Sequence, residues 1–528
     1  MFYNLIKKAS QYICGNAIAM KTKLVTIPLL LCFAGSLLAQ TSINMKLKSS
    51  KAFSSIKKDK EFVIDSVSYN PRYSPKTTSV VAAKTYGTYV ISASQGGKST
   101  QIIAVDMPKN VAFQPVEDNL SNYWFGKNLA SLKTISEIND LYATRAEMED
   151  DAQRYLNTLS KYGLLYDDPF LESYLYSIVS KILPTHRADG FPYDLKICIV
   201  HDESMNACVF PNGVMMVNTG LLAEMHTEDE LVAALAHEIG HFVSNHALVN
   251  VRKMEKEAAK AEFWAAFATG VAAVAEGVAS AYSGYYDGSL TYSTAILSSA
   301  VAYNALKRIG LEFSKEQEKD ADEMALAALG YLGYDKNGAA TLFQRMTNAY
   351  NAEGNWAAYY LAGDHPSLEK RIEYSGTPYK RTDPEFEKKV SFAVTEAAIA
   401  KYSNGRFTQA MKHVTQNINN NVATDDDYLI KALCTLNLFS DSQHNQEALA
   451  FIQKAKVINP NNVNILRTEI IASLRCGEKG RAASLLDTYL RDLDKSIAEI
   501  SNKDSKSYSF LKNEYDWARK MAIKVKGL

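Results

Sequence analysis

The fold of the central part of the chain is decided by residues 227–241, which read TEDELVAALAHEIGH. Thr227 is a typical helix N-cap, and acidic residues follow in the first turn, with Glu230 three residues after the cap. Apolar residues that include Leu235 and Ile239 recur at helical spacing. The pattern therefore predicts one long amphipathic helix that begins at Thr227 and carries the motif HEIGH in its middle.

This motif places His237 and His241 on one face of the helix, because residues four apart lie one turn apart. In catalytic sites Zn²⁺ takes three protein ligands and keeps one position for water. Glu238 stands beside the histidines and can take the proton of that water as it attacks a carbonyl. The motif predicts a hydrolytic site with about one Zn²⁺ per chain. The alternative is an ordinary helix that happens to carry two histidines.

A third ligand is expected from a second helix, predicted from Ser314 to Leu329 and containing the acidic run EKDAD at residues 318–322. Glu318 and Asp322 are again four residues apart, so they share a helix face. Glu318 can bind the metal, and Asp322 can accept the N–H of a ligand histidine. Without the histidine pair, a solvated acidic face would explain this run equally well.

Further motifs precede and follow these two helices. They are Asn206-Ala207, Pro211-Asn212-Gly213 and Thr219-Gly220-Leu221-Leu222 upstream, and Asp364-His365-Pro366 with Arg371 downstream. Together with the HEIGH helix and the Glu318 element, they resemble the zinc metallopeptidase family of HtpX and the CAAX prenyl protease, in the same order. The export signal and the helical tail described below make the secreted, BepA-like subgroup the nearest likeness.

The resemblance implies an α+β fold: a mainly helical, zincin-type domain with a small sheet, which we place at residues 125–380. It implies a gluzincin-like metalloendopeptidase whose zinc ligands are His237, His241 and Glu318, with Glu238 as general base. The resemblance also implies one Zn²⁺ as the cofactor and proteins as the substrates.

The resemblance also places the loop with His365 beside the metal. His365 could donate a hydrogen bond to the oxyanion that forms during attack, or it could occupy the open zinc position at rest as a latch. The remaining alternative is a loop histidine without a role. Arg371 is expected to fix this loop or to contact the transition state.

A short β-rich run consists of Val214, Met215, Met216 and Val217. It is interpreted as an edge strand that holds an extended substrate by backbone pairing. The alternative is a strand in the interior of the core.

Three other side chains near the site lead to separate expectations. Cys198 and Cys208 flank a turn, so a simple hairpin would place them opposite each other as either a disulfide or two packed thiols. His246 follows His241 by five residues, which puts it off the ligand face of a continuous helix, and it is expected to be solvated.

The segments before the protease domain are assigned by composition. Residues 1–40 are predicted to be a signal region that starts at Met20 and has an apolar core at 24–38; the alternative is an uncleaved anchor helix. This predicts export to the periplasm or cell envelope of a Gram-negative-type bacterium. Residues 41–61 are a Lys- and Ser-rich linker, and residues 62–118 a small β module of unknown role.

Two further regions complete the chain, of which the first is rich in Ala. Residues 262–310 are interpreted as a buried or capping helical hairpin, with a membrane-dipping hairpin and hence a peripheral membrane contact as the alternative. Residues 390–528 carry small residues such as Ala448 and Ala482 at a 34-residue spacing, which favours tetratricopeptide-like helix pairs able to bind a protein partner. An unrelated helical bundle is the alternative.

Composition excludes several classes of protein. The 58 basic and 58 acidic residues give no net charge, so nothing suggests a nucleic-acid partner, and a mean hydropathy of −0.19 argues against a polytopic membrane protein. Six cysteines are too few for a disulfide scaffold in a chain of 528 residues, and they show no CxxC zinc spacing. The family resemblance implies a zinc-dependent endopeptidase in envelope or outer-membrane protein quality control, with unfolded or misassembled envelope proteins as the expected substrates. The alternative is a largely latent protease that acts as a tetratricopeptide chaperone or scaffold.

Overall fold

The computed structural model describes most of the chain from residue 43 onward. The described residues are 43–47, 61–71, 87–95, 98–103, 113–115, 119–135, 153, 156–157, 159–160, 165–183, 195–210, 213–255, 313–353, 367–460, 462–501, 503 and 506–526. The predicted signal region, the Ala-rich hairpin at 262–310 and His365 lie outside them.

The first sheet is antiparallel and has five strands in the order β4-β3-β2-β1-β5. The strands are β1 Ile43–Leu47, β2 Glu61–Pro71, β3 Gly87–Gln95, β4 Lys98–Ile103 and β5 Phe113–Pro115. β1 corrects the predicted linker at 41–61, because it pairs with both β2 and β5. Its sequence INMKL alternates apolar and polar residues, a strand pattern that the lysine content of the whole segment concealed.

The second sheet has four strands in the order β6-β7-β9-β8. They are β6 Leu165–Tyr166, β7 Lys196–Val200, β8 Ala207–Val209 and β9 Val214–Asn218. β9 runs parallel to β7 and antiparallel to β8, so the sheet is mixed.

This topology overturns two expectations. The strand Val214–Val217 is not an edge strand, because β9 lies between β7 and β8 with every residue buried. A run that is apolar on both faces is typical of an interior strand. Cys198 and Cys208 are not opposed either: each pairs with Met216 from opposite sides, and both thiols are free.

The helices of the protease part surround this sheet. They are α1 Leu120–Ile135, α2 Pro169–Ile182, α3 Thr219–Glu224, α4 Glu228–Val243, α5 His246–Glu255, α6 Lys315–Leu332, α7 Asn337–Glu353, α8 Leu368–Ser375 and α9 Pro384–Lys389. Mainly helical with a small mixed sheet, this part has the expected α+β architecture. The predicted starts of α4 and α6 are confirmed, since Thr227 and Ser314 cap them with their hydroxyl groups.

Helix α4 lies at the centre of the core and packs against α6. The two helices lie close together at Gly240, where a Cβ atom would lie 3.3 Å from the Cα of Ala321. Glycine therefore allows the helix with the two histidines to lie directly against the helix with the acidic residues.

In the described part of the chain seven helices follow, and each packs against the next. They are α10 Ser391–Ser403, α11 Phe407–Asn419, α12 Asp425–Leu438, α13 Ser442–Ile458, α14 Val463–Arg475, α15 Lys479–Glu499 and α16 Lys506–Lys526. Ala448 and Ala482 are fully buried, as small residues at helix crossings are. Their assignment as tetratricopeptide repeats stays a prediction.

The predicted boundary at residue 390 does not separate two cores. Phe386, Ala393, Val394 and Ala397 belong to the same buried cluster as the protease helices, and α10 packs on α3. Helix α10 therefore has two buried faces, one on the protease and one on α11. Within the described part of the chain, no helix is both long and apolar enough to cross a bilayer.

Candidate metal centre

Helices α4 and α6 bring three donor groups together: the imidazoles of His237 and His241 and the carboxylate of Glu318. The two Nε2 atoms lie 3.1 Å apart. Glu318 places Oε2 3.5 Å from Nε2 of His237 and Oε1 3.8 Å from Nε2 of His241. All three ligand atoms lie within 4.8 Å of one another. The close approach at Gly240 is what sets this geometry, since it fixes the separation of the two helices.

This donor set fits a zinc ion. Two imidazole nitrogens and one carboxylate oxygen are the ligands of many catalytic zinc sites, which leave a further position for water. The donors come from two rigid helices and are largely buried, with Glu318 and His241 at 5% and 2% exposure. The residues predicted as metal ligands are thus the ones that the fold brings together.

His237 is held from its other ring nitrogen by Asp322. Nδ1 of His237 lies 2.9 Å from Oδ1 of Asp322. Burial would lower the pKa of His237, but hydrogen bonds with Asp322 and Glu318 raise that pKa to about 10. A metal ion must therefore displace a proton to bind Nε2, which makes metal uptake dependent on pH. Asp322 occupies the position predicted for it.

Arg371, from helix α8, holds both acidic residues of the site. Its Nε and Nη2 atoms donate to the two oxygens of Asp322 at 2.8 and 2.6 Å, and Nη1 lies 3.3 Å from Oε2 of Glu318. The guanidinium also lies over the ring of Phe343, at 4.1 Å from its centroid. Tyr374, one turn further along α8, donates to Asp322 as well. Arg371 is buried and bound, so it fixes the acidic ligands in place.

Glu238 lies beside the histidines on α4 and is partly exposed. Burial, together with the charge of Glu318, raises its pKa to about 7, although His237 and a hydrogen bond from the Val209 amide oppose this. Val209 is the last residue of the edge strand β8. A carboxylate whose pKa lies near neutrality can both accept and return a proton.

His246 contradicts the prediction of a solvated side chain. It is buried, at 7% exposure, and its Nδ1 lies 2.9 Å from Nδ1 of His241. The prediction of a solvated side chain assumed that the helix continues, but α4 ends at Val243 and Asn245 takes φ 53°. This left-handed residue turns the chain so that α5 begins with His246 facing back toward His241. The usable signal was Asn245 itself, since asparagine is enriched in that conformation.

Comparison with known proteins agrees with this site. Residues 170–374 match the model of peptidase family M48. The chain is 31% identical over 231 residues to the mitochondrial metalloendopeptidase OMA1 of Schizosaccharomyces pombe, covering 43% of this chain and 58% of that protein. It is 27% identical over 189 residues to the metalloprotease LoiP of Escherichia coli, covering 36% and 64%.

A third relative shares less of its length. The beta-barrel assembly-enhancing protease of Escherichia coli is 22% identical over 218 residues, which is 41% of each chain. The chain therefore spans only about half the length of the curated relatives that it matches. The matched region contains all three donor residues and Glu238. The match of residues 170–374 to peptidase family M48 thus confirms the family resemblance of the motifs.

Proposed function

We propose that this protein is a zinc-dependent endopeptidase. The observation that carries the proposal is the convergence of His237, His241 and Glu318, whose ligand atoms lie within 4.8 Å of one another, next to a carboxylate on the same helix. When bound, zinc would polarise the substrate carbonyl and lower the pKa of a neighbouring water.

The residues of the chain transfer the proton and hold the metal ligands in position. Glu238 accepts the proton of the attacking water and passes it to the leaving amine, for which a pKa near 7 is suited. Asp322 fixes the ring of His237, and Arg371 keeps the carboxylates of Asp322 and Glu318 in position. In this mechanism Arg371 acts through the ligands.

Strand β8 is the candidate support for an extended substrate. Among the described strands it pairs with β9 alone, so one side of its backbone has no strand partner. The Val209 amide donates to Glu238, which puts this edge directly at the proposed base. A peptide that added to β8 would bring its carbonyl group to the metal side of α4. This role replaces the one predicted for Val214–Val217.

The proposed setting is the cell envelope, with unfolded or misassembled envelope proteins as substrates. Support comes from the apolar signal region before residue 41 and from a relative named as a beta-barrel assembly-enhancing protease. The C-terminal helices would bind a protein partner or present the substrate. His365 would act in the same site, either as the oxyanion donor or as the latch.

The decisive experiment combines metal analysis with a proteolysis assay. We expect the purified chain to hold about one zinc and to cleave an unfolded protein. Glu238→Gln should keep the zinc and lower the cleavage rate by about 10²–10⁴-fold. His237→Ala should lose both, and Glu323→Gln, on the exposed side of α6, should lose neither.

Two outcomes would reject the proposal. If Glu238→Gln cleaved at the wild-type rate with zinc bound, Glu238 would not be the base. If the wild type held zinc but cleaved nothing, the latent chaperone or scaffold would be the better interpretation.

A further inference from the structure

The two candidate ligand histidines are supported in different ways. Asp322 contacts His237 directly, whereas His241 is contacted by a second imidazole. We propose that His246 is a positioning residue, which fixes the tautomer and ring orientation of His241 through the chain His241–His246–Asp320. The inference rests on the proposed zinc site.

The argument begins with the proton of His241. Its Nε2 faces Nε2 of His237 at 3.1 Å and Oε1 of Glu318 at 3.8 Å, so Nε2 is the atom available to a metal. A ring nitrogen that binds a metal cannot carry a proton, so the proton of neutral His241 must be on Nδ1. Nδ1 lies 2.9 Å from Nδ1 of His246, which must then accept that hydrogen bond.

The same reasoning fixes the proton of His246. Because its Nδ1 accepts from His241, the proton of neutral His246 is on Nε2, which faces Oδ2 of Asp320 at 3.6 Å. Asp320 is held in turn by Nζ of Lys127, 2.5 Å from Oδ1, and its Oδ2 accepts from Ser244 at 3.4 Å. Each candidate ligand histidine is thus connected to a carboxylate: His237 contacts Asp322 directly, and His241 is connected to Asp320 through the imidazole of His246.

Packing leaves His241 dependent on this contact. Its ring stacks on Phe313, with centroids 3.7 Å apart and an interplanar angle of 18°, and its exposure is 2%. Stacking holds the plane of the ring, but it leaves the positions of the two nitrogens undetermined. Without an acceptor at His246, a buried Nδ1–H would be unsatisfied, and the population of the tautomer with the proton on Nε2 would increase. That tautomer cannot bind a metal through Nε2.

Two amide variants separate hydrogen bonding from packing. The Oδ1 atom of an asparagine at 246 can take the place of Nδ1 and accept from His241. The amide of a glutamine reaches further, toward the position of Nε2, and moves the acceptor away. His246→Asn and His246→Gln therefore differ in the feature that the proposal requires. His444→Gln, on the exposed face of α13, controls for losing a histidine.

The measurements are zinc affinity by chelator competition and the visible spectrum of the Co²⁺-substituted protein. We expect His246→Gln to weaken zinc binding by about 10–100-fold and to alter the Co²⁺ bands. His246→Asn should stay within a few-fold of wild type with similar bands. Asp320→Asn, which keeps an oxygen but removes the charge, should weaken zinc binding less than His246→Gln does.

Three results would overturn the inference. Wild-type affinity and bands in His246→Gln would show that His241 needs no acceptor. Equal losses in the Asn and Gln variants would show that the imidazole acts by packing. An unchanged affinity in Asp320→Asn would remove Asp320 from the chain. A wild-type protein that binds no zinc would instead refute the proposed function, so the two failures are distinguishable.

Discussion

The metal centre and the C-terminal helices satisfy buried charge in different ways. At the metal centre the partners are far apart in the chain: Arg371 and Asp322 are separated by 49 residues, and Lys127 and Asp320 by 193. In the C-terminal helices Glu469 binds Lys456 and Arg481 on the two adjacent helices, over only 13 and 12 residues, although Glu514 binds Arg467 over 47. A change at the metal centre should therefore affect the whole core, whereas one in the helical array should stay near its origin.

Helices α9–α11 join the two regions, and like the metal centre they contact partners that are far away in the chain. Three histidine–glutamate contacts cross this junction: His201 with Glu396 at 3.2 Å, His226 with Glu387 at 2.5 Å, and His413 with Glu224 at 3.2 Å. Together with the shared apolar cluster, they make the start of the helical array part of the protease core.

The largest effect is expected from truncation within this junction. A chain ending at residue 389 loses α10 and leaves an apolar surface where Ala393, Val394 and Ala397 are buried. The loss should approach the whole stability of a domain, about 5–15 kcal/mol, so this chain should not fold or hold zinc. A chain ending at residue 422 keeps α10 and α11 and should do both. Thermal unfolding and zinc content check the pair, and a folded 389-residue chain would break the comparison.

A smaller effect is expected from Arg371→Leu. The substitution removes Arg371 from the buried carboxylates of Asp322 and Glu318, which keep the imidazole of His237 as a partner, and should cost about 3–5 kcal/mol in the free energy of unfolding. Denaturant titration with zinc chelated measures this cost separately from metal binding. Arg371→Lys keeps the charge but not the two parallel hydrogen bonds and should recover part of it. A cost below about 1 kcal/mol would show that the network is not what holds α8.

The smallest effect is expected from Ala448→Leu in the helical array. Ala448 is fully buried in a cluster formed by α12, α13 and α14, and extra methyl groups there should cost about 1–3 kcal/mol. Zinc content and cleavage of an unfolded peptide should be unchanged. Lys512→Ala, which removes an exposed ion pair with Asp516, should cost at most about 1 kcal/mol and serves as the control. Loss of zinc in Ala448→Leu would contradict this prediction and would show that the helical array is coupled to the metal centre.

The parts of the site that the sequence predicted are those encoded locally. His237 and His241 share a face because of helix periodicity, and Glu318 and Asp322 share one for the same reason. That the two helices meet was an inference from the need for a third ligand and from the family resemblance. Periodicity alone cannot specify which helices pack together.

The parts that failed depended on a local break or on distant neighbours. His246 was misjudged because one left-handed residue, Asn245, redirects the chain. Met216 was placed at an edge because a strand's sequence does not name its partners, and here they come from β7 and β8. The sequence places helix α10 in the array alone. It does not show that a second face of this helix packs on α3, because α3 lies far away in sequence.

The contacts around His246 hold the end of α4 and the start of α6 together, and this bears on how long the connection between α5 and α6 can be. Phe313 lies beside both His241 and His246, and the Gln317 side chain donates to the backbone carbonyl of His246 at 3.4 Å. The chain leaves the metal ligand at residue 246 and returns to it at residue 313, so the connection between these two positions has fixed ends. The entropy of closing a loop grows only with the logarithm of its length, so doubling it costs about 0.6 kcal/mol. Insertions between α5 and α6 can thus lengthen the protein at little thermodynamic cost to the zinc ligands.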